Sequence, residues 1–139
     1  MKKLLISLLA LSNFFLTSCA LQQKEVDSWL VSISKNIPAE IDISGKWYDA
    51  EGSYLFGWGE GYLKQEQNKV SGIIGSYNIK GIVSGKQVYL VFMYGGSVCY
   101  TARLEMVNNL LAGSYFEAND RKQKKGYTIM FTKKVDTTN

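Results

Sequence analysis

Histidine is absent from this 139-residue chain, and proline occurs only once. Without histidine the chain cannot build a Ser-His-Asp or Cys-His nucleophile, a His-liganded zinc site or a His-ligated haem. Charged residues make up only 20% of the sequence, whereas 46% of it is hydrophobic. This balance is typical of a globular protein rather than a disordered or fibrous one. A chain of this length is expected to form one domain.

Few residues remain as candidates for catalysis. Acid–base chemistry would depend on carboxylates such as Asp49, Glu51, Glu60 and Glu66, and their spacing does not distinguish them from ordinary surface acids. The sequence has no glycine-rich phosphate loop before a helix, no metal-ligand cluster and no nucleophile elbow. We therefore expect a protein that is not an enzyme and that has no metal and no cofactor.

The N-terminal segment has the pattern of a secretion signal. Lys2 and Lys3 precede an apolar stretch at 4–16 that is too short to span a bilayer comfortably. The following Leu16-Thr17-Ser18-Cys19 resembles the lipobox of bacterial lipoproteins. The resemblance implies removal of residues 1–18, a diacylglycerol thioether on Cys19 and acylation of the new N-terminus, for example by palmitate. The alternative is an ordinary signal peptide with a cysteine near its cleavage site.

Lipidation of Cys19 would place the protein in the cell envelope, with the membrane as a partner. Each buried CH₂ group contributes about 0.8 kcal/mol, so several acyl chains together hold a protein durably. In a Gram-negative cell, Ala20 after the cysteine is similar to the pattern of lipoproteins that reach the outer membrane and face the periplasm. Cleavage leaves 14 basic and 12 acidic residues, a net charge of +2. We therefore expect no nucleic-acid partner, because such proteins carry a concentrated basic face.

Cys99 would be the one thiol left after lipidation of Cys19, so an intramolecular disulfide is excluded. We interpret Cys99 as a small, partly buried strand residue. The alternatives are a mixed disulfide and a metal ligand.

Residues 19–43 are expected to hold the lipidated cysteine, a tether and one short helix. Apolar residues recur at helical spacing on one side of this segment: Val26, Trp29, Leu30, Ile33 and Ile37. Pro38 predicts that the helix ends near Asn36. The apolar stripe either packs on the following domain, with Trp29 as its anchor, or lies on the membrane surface, and we favour packing.

Residues 44–134 predict an all-β domain, followed by a C-terminal tail at 135–139. The predicted strands are 44–50, 54–66, 69–76, 78–84, 87–94, 97–107, 110–117 and 126–134. Turn-competent pairs such as Asn108-Asn109 join consecutive strands and indicate sequential hairpins. An eight-stranded antiparallel up-and-down barrel leaves no exposed edge strand, so we favour it over the alternative, a two-sheet β-sandwich.

For two of these strands, the sequence predicts which side chains share a face. Strand 97–107 alternates, and one face is expected to be dry: Val98, Tyr100, Ala102, Leu104 and Met106. In strand 54–66, Gly57, Gly59 and Gly61 share one face, and the other face is aromatic: Tyr54, Phe56, Trp58 and Tyr62. Glycine weakens a strand, so this spacing indicates either a sharply coiled strand or space for a ligand or another backbone.

The first predicted strand contains Ser44-Gly45-Lys46-Trp47-Tyr48, after a short helix and before a meander of about eight strands. This arrangement resembles the lipocalin and wider calycin pattern over residues 44–134. The resemblance implies that Trp47 is a structural plug across one end of the barrel. Lys133 and Lys134 lie where lipocalins usually place an arginine over that tryptophan.

A small barrel of this kind indicates a binding protein. We expect a membrane-anchored lipoprotein that binds a small apolar or amphipathic ligand in its barrel, with these candidate lining residues: Trp58, Tyr89, Met93, Tyr94 and Tyr100. The alternative is a structural or protein-interaction lipoprotein of the envelope, with a filled barrel and a surface binding site. The loop 119–126 holds four cations in five residues and would meet anionic lipid, or else is a solvated hairpin tip.

Overall fold

A computed structural model describes residues 18–34, 37–51 and 57–136. In this part of the chain, eight antiparallel strands close into a barrel, and one helix packs against its outer wall. The elements are α1 (Ser18–Ser34), β1 (Gly45–Asp49), β2 (Glu60–Glu66), β3 (Lys69–Ile74), β4 (Tyr77–Ser84), β5 (Gln87–Tyr94), β6 (Ser97–Val107), β7 (Leu110–Glu117) and β8 (Tyr127–Lys133). Each strand pairs with the next in sequence, and β8 pairs with β1. The predicted up-and-down barrel is confirmed, and the alternative sandwich is wrong.

The predicted strand 54–66 is wrong at residues 57–59. Its residues 54–56 lie outside the described part of the chain, and β2 begins only at Glu60. The backbone N–H of Trp58 donates to Asp49 Oδ2 at 2.8 Å, and Gly59 adopts a φ of +84°, so the chain turns here. Trp58 then packs on the barrel core while Tyr62 is exposed, so these two side chains do not share a face.

Gly61 allows two neighbouring strands to approach each other closely. A Cβ atom at this position would lie 1.8 Å from the carbonyl oxygen of Ile73 on β3. No side chain fits there without a shift of the backbone, because real Cβ contacts are longer than 3.0 Å. The glycine therefore accommodates another backbone, which was one of the two interpretations of its spacing.

A β-bulge changes the face that Val98 occupies. Phe92 pairs with Tyr100 and Met93 pairs with Val98, so Cys99 is an extra residue on β6. Tyr100 therefore faces the barrel core, whereas Val98 packs with the residues under α1. The predicted dry face of strand 97–107 is correct from Tyr100 onward and wrong at Val98.

Trp47 lies at one end of the barrel, which we call the closed end. Its side chain is 1% exposed, and its Nε1–H donates to the carbonyl oxygen of Ile43 at 2.9 Å. The Lys133 ammonium lies 5.6 Å from the centre of the indole ring, within the range of a cation–π contact. The indole is thus packed inside the barrel, hydrogen-bonded, and covered by a cation.

The segment before β1 crosses the closed end, and the Gln65 side chain bonds to its backbone at two places. The Gln65 Nε2–H donates to the carbonyl of Ile41 at 2.8 Å, and Gln65 Oε1 accepts from the N–H of Ile43 at 3.0 Å. Farther back, Gly85 O accepts the backbone N–H of Glu40 at 2.9 Å. These bonds satisfy backbone groups that no strand partner reaches.

Helix α1 packs on the outside of the barrel, against β4 and β6. Its buried stripe meets an apolar outer surface: Val26, Trp29, Leu30 and Ile33 pack with Ile82, Tyr89, Val91, Met93 and Val98. The Trp29 and Tyr89 rings meet edge to face at 5.8 Å, and Asp27 forms an ion pair with Lys80. The helix is described to Ser34, close to the predicted end at Asn36, and Ile37 is exposed rather than part of the stripe.

Replacement of Trp47 tests the contribution of the closed end. We expect Trp47→Ala to lower the free energy of unfolding by about 3–5 kcal/mol, because the change leaves a cavity and removes the ring that Lys133 covers. Urea denaturation of the domain from residue 20 onward measures this value. Val107→Ala, at a position that is 57% exposed, is the control and should change it by less than about 0.5 kcal/mol. A loss below about 1 kcal/mol at Trp47 would contradict its role as a plug.

Candidate functional site

The interior of the barrel is occupied by the protein's own side chains. Alternate residues of the strands point inward, and the largest of these are at most 1% exposed: Leu63, Ile74, Leu90, Phe92, Leu104, Leu111, Ile129 and Phe131. An eight-stranded barrel is just wide enough for side chains to fill it, unless small residues leave room for a ligand. Large residues take these positions here, so the middle of the barrel is packed.

The end opposite Trp47, which we call the mouth, is occupied by Trp58. Its indole ring lies 4.7 Å from the Phe92 ring, 5.0 Å from Tyr115, 5.3 Å from Tyr100 and 5.7 Å from Tyr77. Tilted and edge-to-face contacts at these distances are the favoured geometries of aromatic pairs. Trp58 is therefore the centre of an aromatic plug.

Burial in this plug changes the pKa of two of the tyrosines around Trp58. Desolvation raises the pKa of the Tyr77 phenol and, likewise, the pKa of the Tyr115 phenol. Removal from water disfavours the charged phenolate, so both rings stay neutral at physiological pH. The Tyr77 and Tyr115 rings therefore contribute no charge to the plug.

The five predicted ligand-lining residues do not line one cavity. Trp58 and Tyr100 are in contact within the mouth. Tyr94 lies at the rim, 6.4 Å from the Tyr77 ring and 61% exposed. Tyr89 and Met93 point outward from β5 and pack beneath α1, because Leu90 and Phe92 take the inward positions of that strand. The five residues therefore lie in separate places: two in the mouth, one at its rim, and two on the outer wall of the barrel.

The predicted lipidation site lies next to the first residue that the structure describes. Cys19 is in the first turn of α1, but its side chain is outside the described part, as are residues 1–17 of the predicted signal peptide. The tail predicted at 135–139 is described only as far as Asp136. Within the described residues, no helix is both long and apolar enough to cross a membrane.

A cavity of about 280 Å³ lies outside the barrel, between α1, β6 and the β7–β8 loop. We call it the wall cleft, and these residues line it: Glu25, Val26, Trp29, Thr101, Arg103, Glu117, Ala118, Asp120, Arg121 and Gln123. An ion pair of 3.2 Å between Arg121 and Glu25 joins the loop to the helix. Apolar and charged side chains thus share the lining of one small space.

Gln123 supplies a polar atom without a partner in the wall cleft. Its Nε2–H donates to Thr101 Oγ1 at 3.1 Å, whereas its buried Oε1 has no hydrogen-bond partner among the described residues. A buried acceptor without a donor lowers the stability of the folded protein by roughly 1–3 kcal/mol. The lining of the cleft therefore includes a residue with a buried acceptor that has no donor among the described residues.

The β7–β8 loop has its own internal support. Both carboxylate oxygens of Asp120 accept backbone N–H groups, from Lys124 at 3.1 Å and from Lys125 at 2.8 Å. These two bonds lower the pKa of the Asp120 carboxyl, because they favour its charged form. Asp120 thus organises the loop that carries Gln123 into the cleft.

A shallower depression next to the wall cleft includes Cys99. Its other lining residues are Tyr100, Glu117, Ala118 and Asn119, and the Cys99 thiol points at the carbonyl of Ser97 at 3.7 Å. Cys99 is half-buried in its strand. In the described part of the chain, no three acidic, cysteine or histidine side chains are arranged to hold a metal ion.

Sequence reasoning did not identify the wall cleft. Trp29 was expected to pack, and the loop 119–126 was noted for its cations, but nothing in the sequence joins Gln123 to Thr101. The unused signal was the continuous apolar run of β5, which is typical of a strand covered on both faces. The chain matches no protein-family model, no curated protein and no solved structure at a significant level.

Replacement of Trp58 tests whether its ring fills the mouth. We expect Trp58→Ala to destabilise the domain by about 3 kcal/mol, because four aromatic neighbours lose their common partner. Added indole should raise the Tm of this variant, because it refills the space. Tyr62→Ala is the control, because Tyr62 is 52% exposed and its removal leaves no buried space, so the Tm of this variant should not respond to indole in the same way. A Trp58→Ala protein with unchanged Tm and no response to indole would contradict the plug.

Proposed function

We propose that this chain is a lipid-anchored protein of the bacterial envelope that binds a small amphipathic ligand in the wall cleft. The observation that carries the proposal is the position of Trp58, which takes the space that a ligand would need in the mouth. Below it, large buried side chains occupy the barrel axis. The barrel then serves as a rigid scaffold, and binding moves to its outer surface.

The wall cleft has the composition of a site for an amphipathic molecule. Val26, Trp29 and Ala118 provide an apolar side, and Arg103 and Glu117 provide charged groups. Its volume of about 280 Å³ is close to the lower end of ligand pockets, roughly 300–1,000 Å³. A ligand of modest size with an apolar body is therefore favoured.

Gln123 Oε1 indicates the kind of polar group that such a ligand carries. No donor for this buried oxygen exists among the described residues, so a ligand hydroxyl or amide N–H that reached it would form a hydrogen bond and offset the free-energy cost of its burial. The Glu117 carboxylate in the same lining accepts as well. We infer a ligand that donates hydrogen bonds from its polar end.

The proposal includes no catalysis. Among the carboxylates considered in the sequence, Asp49 has a structural role, since it accepts the N–H groups of Glu51 at 3.0 Å and Trp58 at 2.8 Å. Glu66 forms an exposed ion pair with Lys64 at 2.8 Å. Neither lies in the wall cleft.

Replacement of Cys19, which removes the sulfur that would carry the lipid, tests membrane attachment. In an envelope-competent bacterial host, the wild-type protein should be recovered in the membrane fraction and labelled by an alkyne fatty acid. We expect Cys19→Ala to lose both the label and the membrane recovery, because no thiol then carries the acyl chains. Cys99→Ser is the matched control and should keep both. Membrane recovery of the Cys19→Ala protein in undiminished amount would contradict the lipoprotein assignment.

Ligand binding is tested by filling the wall cleft. The domain from residue 20 onward should bind 2-naphthol, a fluorescent amphipathic probe whose hydroxyl donates a hydrogen bond, with one-to-one stoichiometry, measured by fluorescence and native mass spectrometry. We expect Ala118→Trp to weaken binding at least about tenfold, because the larger ring occupies the cleft. Ala50→Trp, at an exposed position, is the control for adding an indole.

Two results would overturn the assignment of the wall cleft. Wild-type protein that binds no probe would show that the cleft does not accept an amphipathic molecule. Equal binding by wild type and Ala118→Trp would place the bound probe elsewhere on the protein.

A further inference from the structure

Helix α1 has a defined direction along the barrel. At the start of the packed region, Glu25 pairs with Arg121 of the β7–β8 loop, which belongs to the mouth end. After the helix, Pro38 and Glu40 bond to Gly85 in the β4–β5 turn, which belongs to the closed end. The helix therefore runs from the mouth to the closed end, and its N-terminus emerges beside the mouth.

The distance between Cys19 and the barrel is short. Cys19 precedes Glu25 by six residues, and the helix already begins at Ser18. At 1.5 Å per residue, the two positions are about 9 Å apart along the helix axis. A polar headgroup layer is roughly 5–7 Å thick on each side of a bilayer. An anchor on Cys19 would therefore hold the mouth end near the headgroups, without a long flexible tether.

The part of the mouth next to α1 carries residues suited to that position. Tyr94 at the β5–β6 hairpin is 61% exposed, and among the described residues only the chain neighbours of Gly95 and Gly96 have heavy atoms within 4 Å of a Cβ placed on these glycines. Exposed tyrosine is enriched at membrane interfaces, where its ring meets the headgroup level. The hairpin tip therefore has both the side chain and the free space for contact with lipid.

The β7–β8 loop adds positive charge beside this hairpin. Three exposed lysines follow Arg121: Lys122, Lys124 and Lys125. The carboxylate in the same loop, Asp120, is engaged by two backbone N–H groups rather than by these ammonium groups. Lysines near a membrane surface are attracted by anionic headgroups.

We infer that the mouth end of the barrel docks, through Tyr94 and the lysines of the β7–β8 loop, on the anionic phospholipid headgroups of the membrane that holds the anchor. The inference rests on the proposed attachment through Cys19. It adds an orientation, with the mouth facing the lipid and the closed end facing away.

An environment-sensitive fluorophore tests this orientation. The lipidated protein, in a Cys99→Ser background, carries the nitrobenzoxadiazole label on Tyr94→Cys and is reconstituted into vesicles of phosphatidylcholine and phosphatidylglycerol. We expect a blue shift and a several-fold gain in emission relative to detergent-free buffer. Val107→Cys is the matched control, because Val107 is 57% exposed but lies at the closed end. Its emission should not change.

Charge reversal tests the lysines separately. Replacement of the three loop lysines by glutamate should abolish the shift at position 94. The control reverses three exposed lysines of the closed end and should leave the shift intact: Lys69→Glu, Lys86→Glu and Lys134→Glu. An equal effect of both triple variants would overturn a specific role of the loop.

The outcomes separate docking from anchoring. If the protein floats with the vesicles and neither label responds, or both respond alike, the docked orientation is wrong while the anchor stands. If the wild-type protein does not float with the vesicles, the attachment through Cys19 is wrong, and the docking inference fails with it.

Discussion

The structure depends on the closure of eight short strands around an interior that has room only for side chains. Strand β1 has the decisive position in this closure, although it has only five residues and meets β8 over three residue pairs. Trp47 on this strand plugs the closed end, and Asp49, two residues later, holds the backbone of Trp58 at the mouth. One strand therefore seals the sheet and positions the plugs at both ends. Loss of its pairing would open the barrel edge and release both aromatic side chains together.

The outer wall of the barrel is packed as the interior is. Strands β4, β5 and β6 bury residues on both faces, because the core lies on one side and α1 on the other. The helix is joined to the wall by apolar packing and by two ion pairs, from Asp27 to Lys80 and from Glu25 to Arg121. Exposed ion pairs contribute little to stability, so packing of the apolar stripe carries most of this attachment. The wall cleft forms where the stripe ends and the polar loop begins.

Much of the fold was predictable from the sequence, because alternation and turn pairs define short antiparallel strands well. Seven strands agree with their predicted bounds to within two residues, and the apolar stripe of α1 was correctly identified. Alternation gives two faces but does not say which face is inside, so Tyr89 and Met93 were assigned to the ligand site although they lie under the helix. The bulge at Cys99 and the turn at Trp58 break the period locally and reverse the expected direction of a side chain. The cleft itself depends on tertiary contacts between residues distant in sequence, which no local pattern records.

The β7–β8 loop connects the wall cleft with the proposed docking surface and with the helix that would carry the proposed anchor. Arg121 lines the wall cleft and pairs with the helix, and its neighbours Lys122 and Lys124 belong to the surface that we infer meets the membrane. A ligand that contacts the loop from the cleft side and headgroups that contact it from the mouth side act on the same backbone, which Asp120 holds together. By thermodynamic linkage, any change that the ligand makes in membrane affinity is matched by an equal change that the membrane makes in ligand affinity. An amphipathic ligand suits the proposed arrangement, because in the inferred orientation the lipid–water interface, where such molecules collect, would lie beside the loop that lines the cleft.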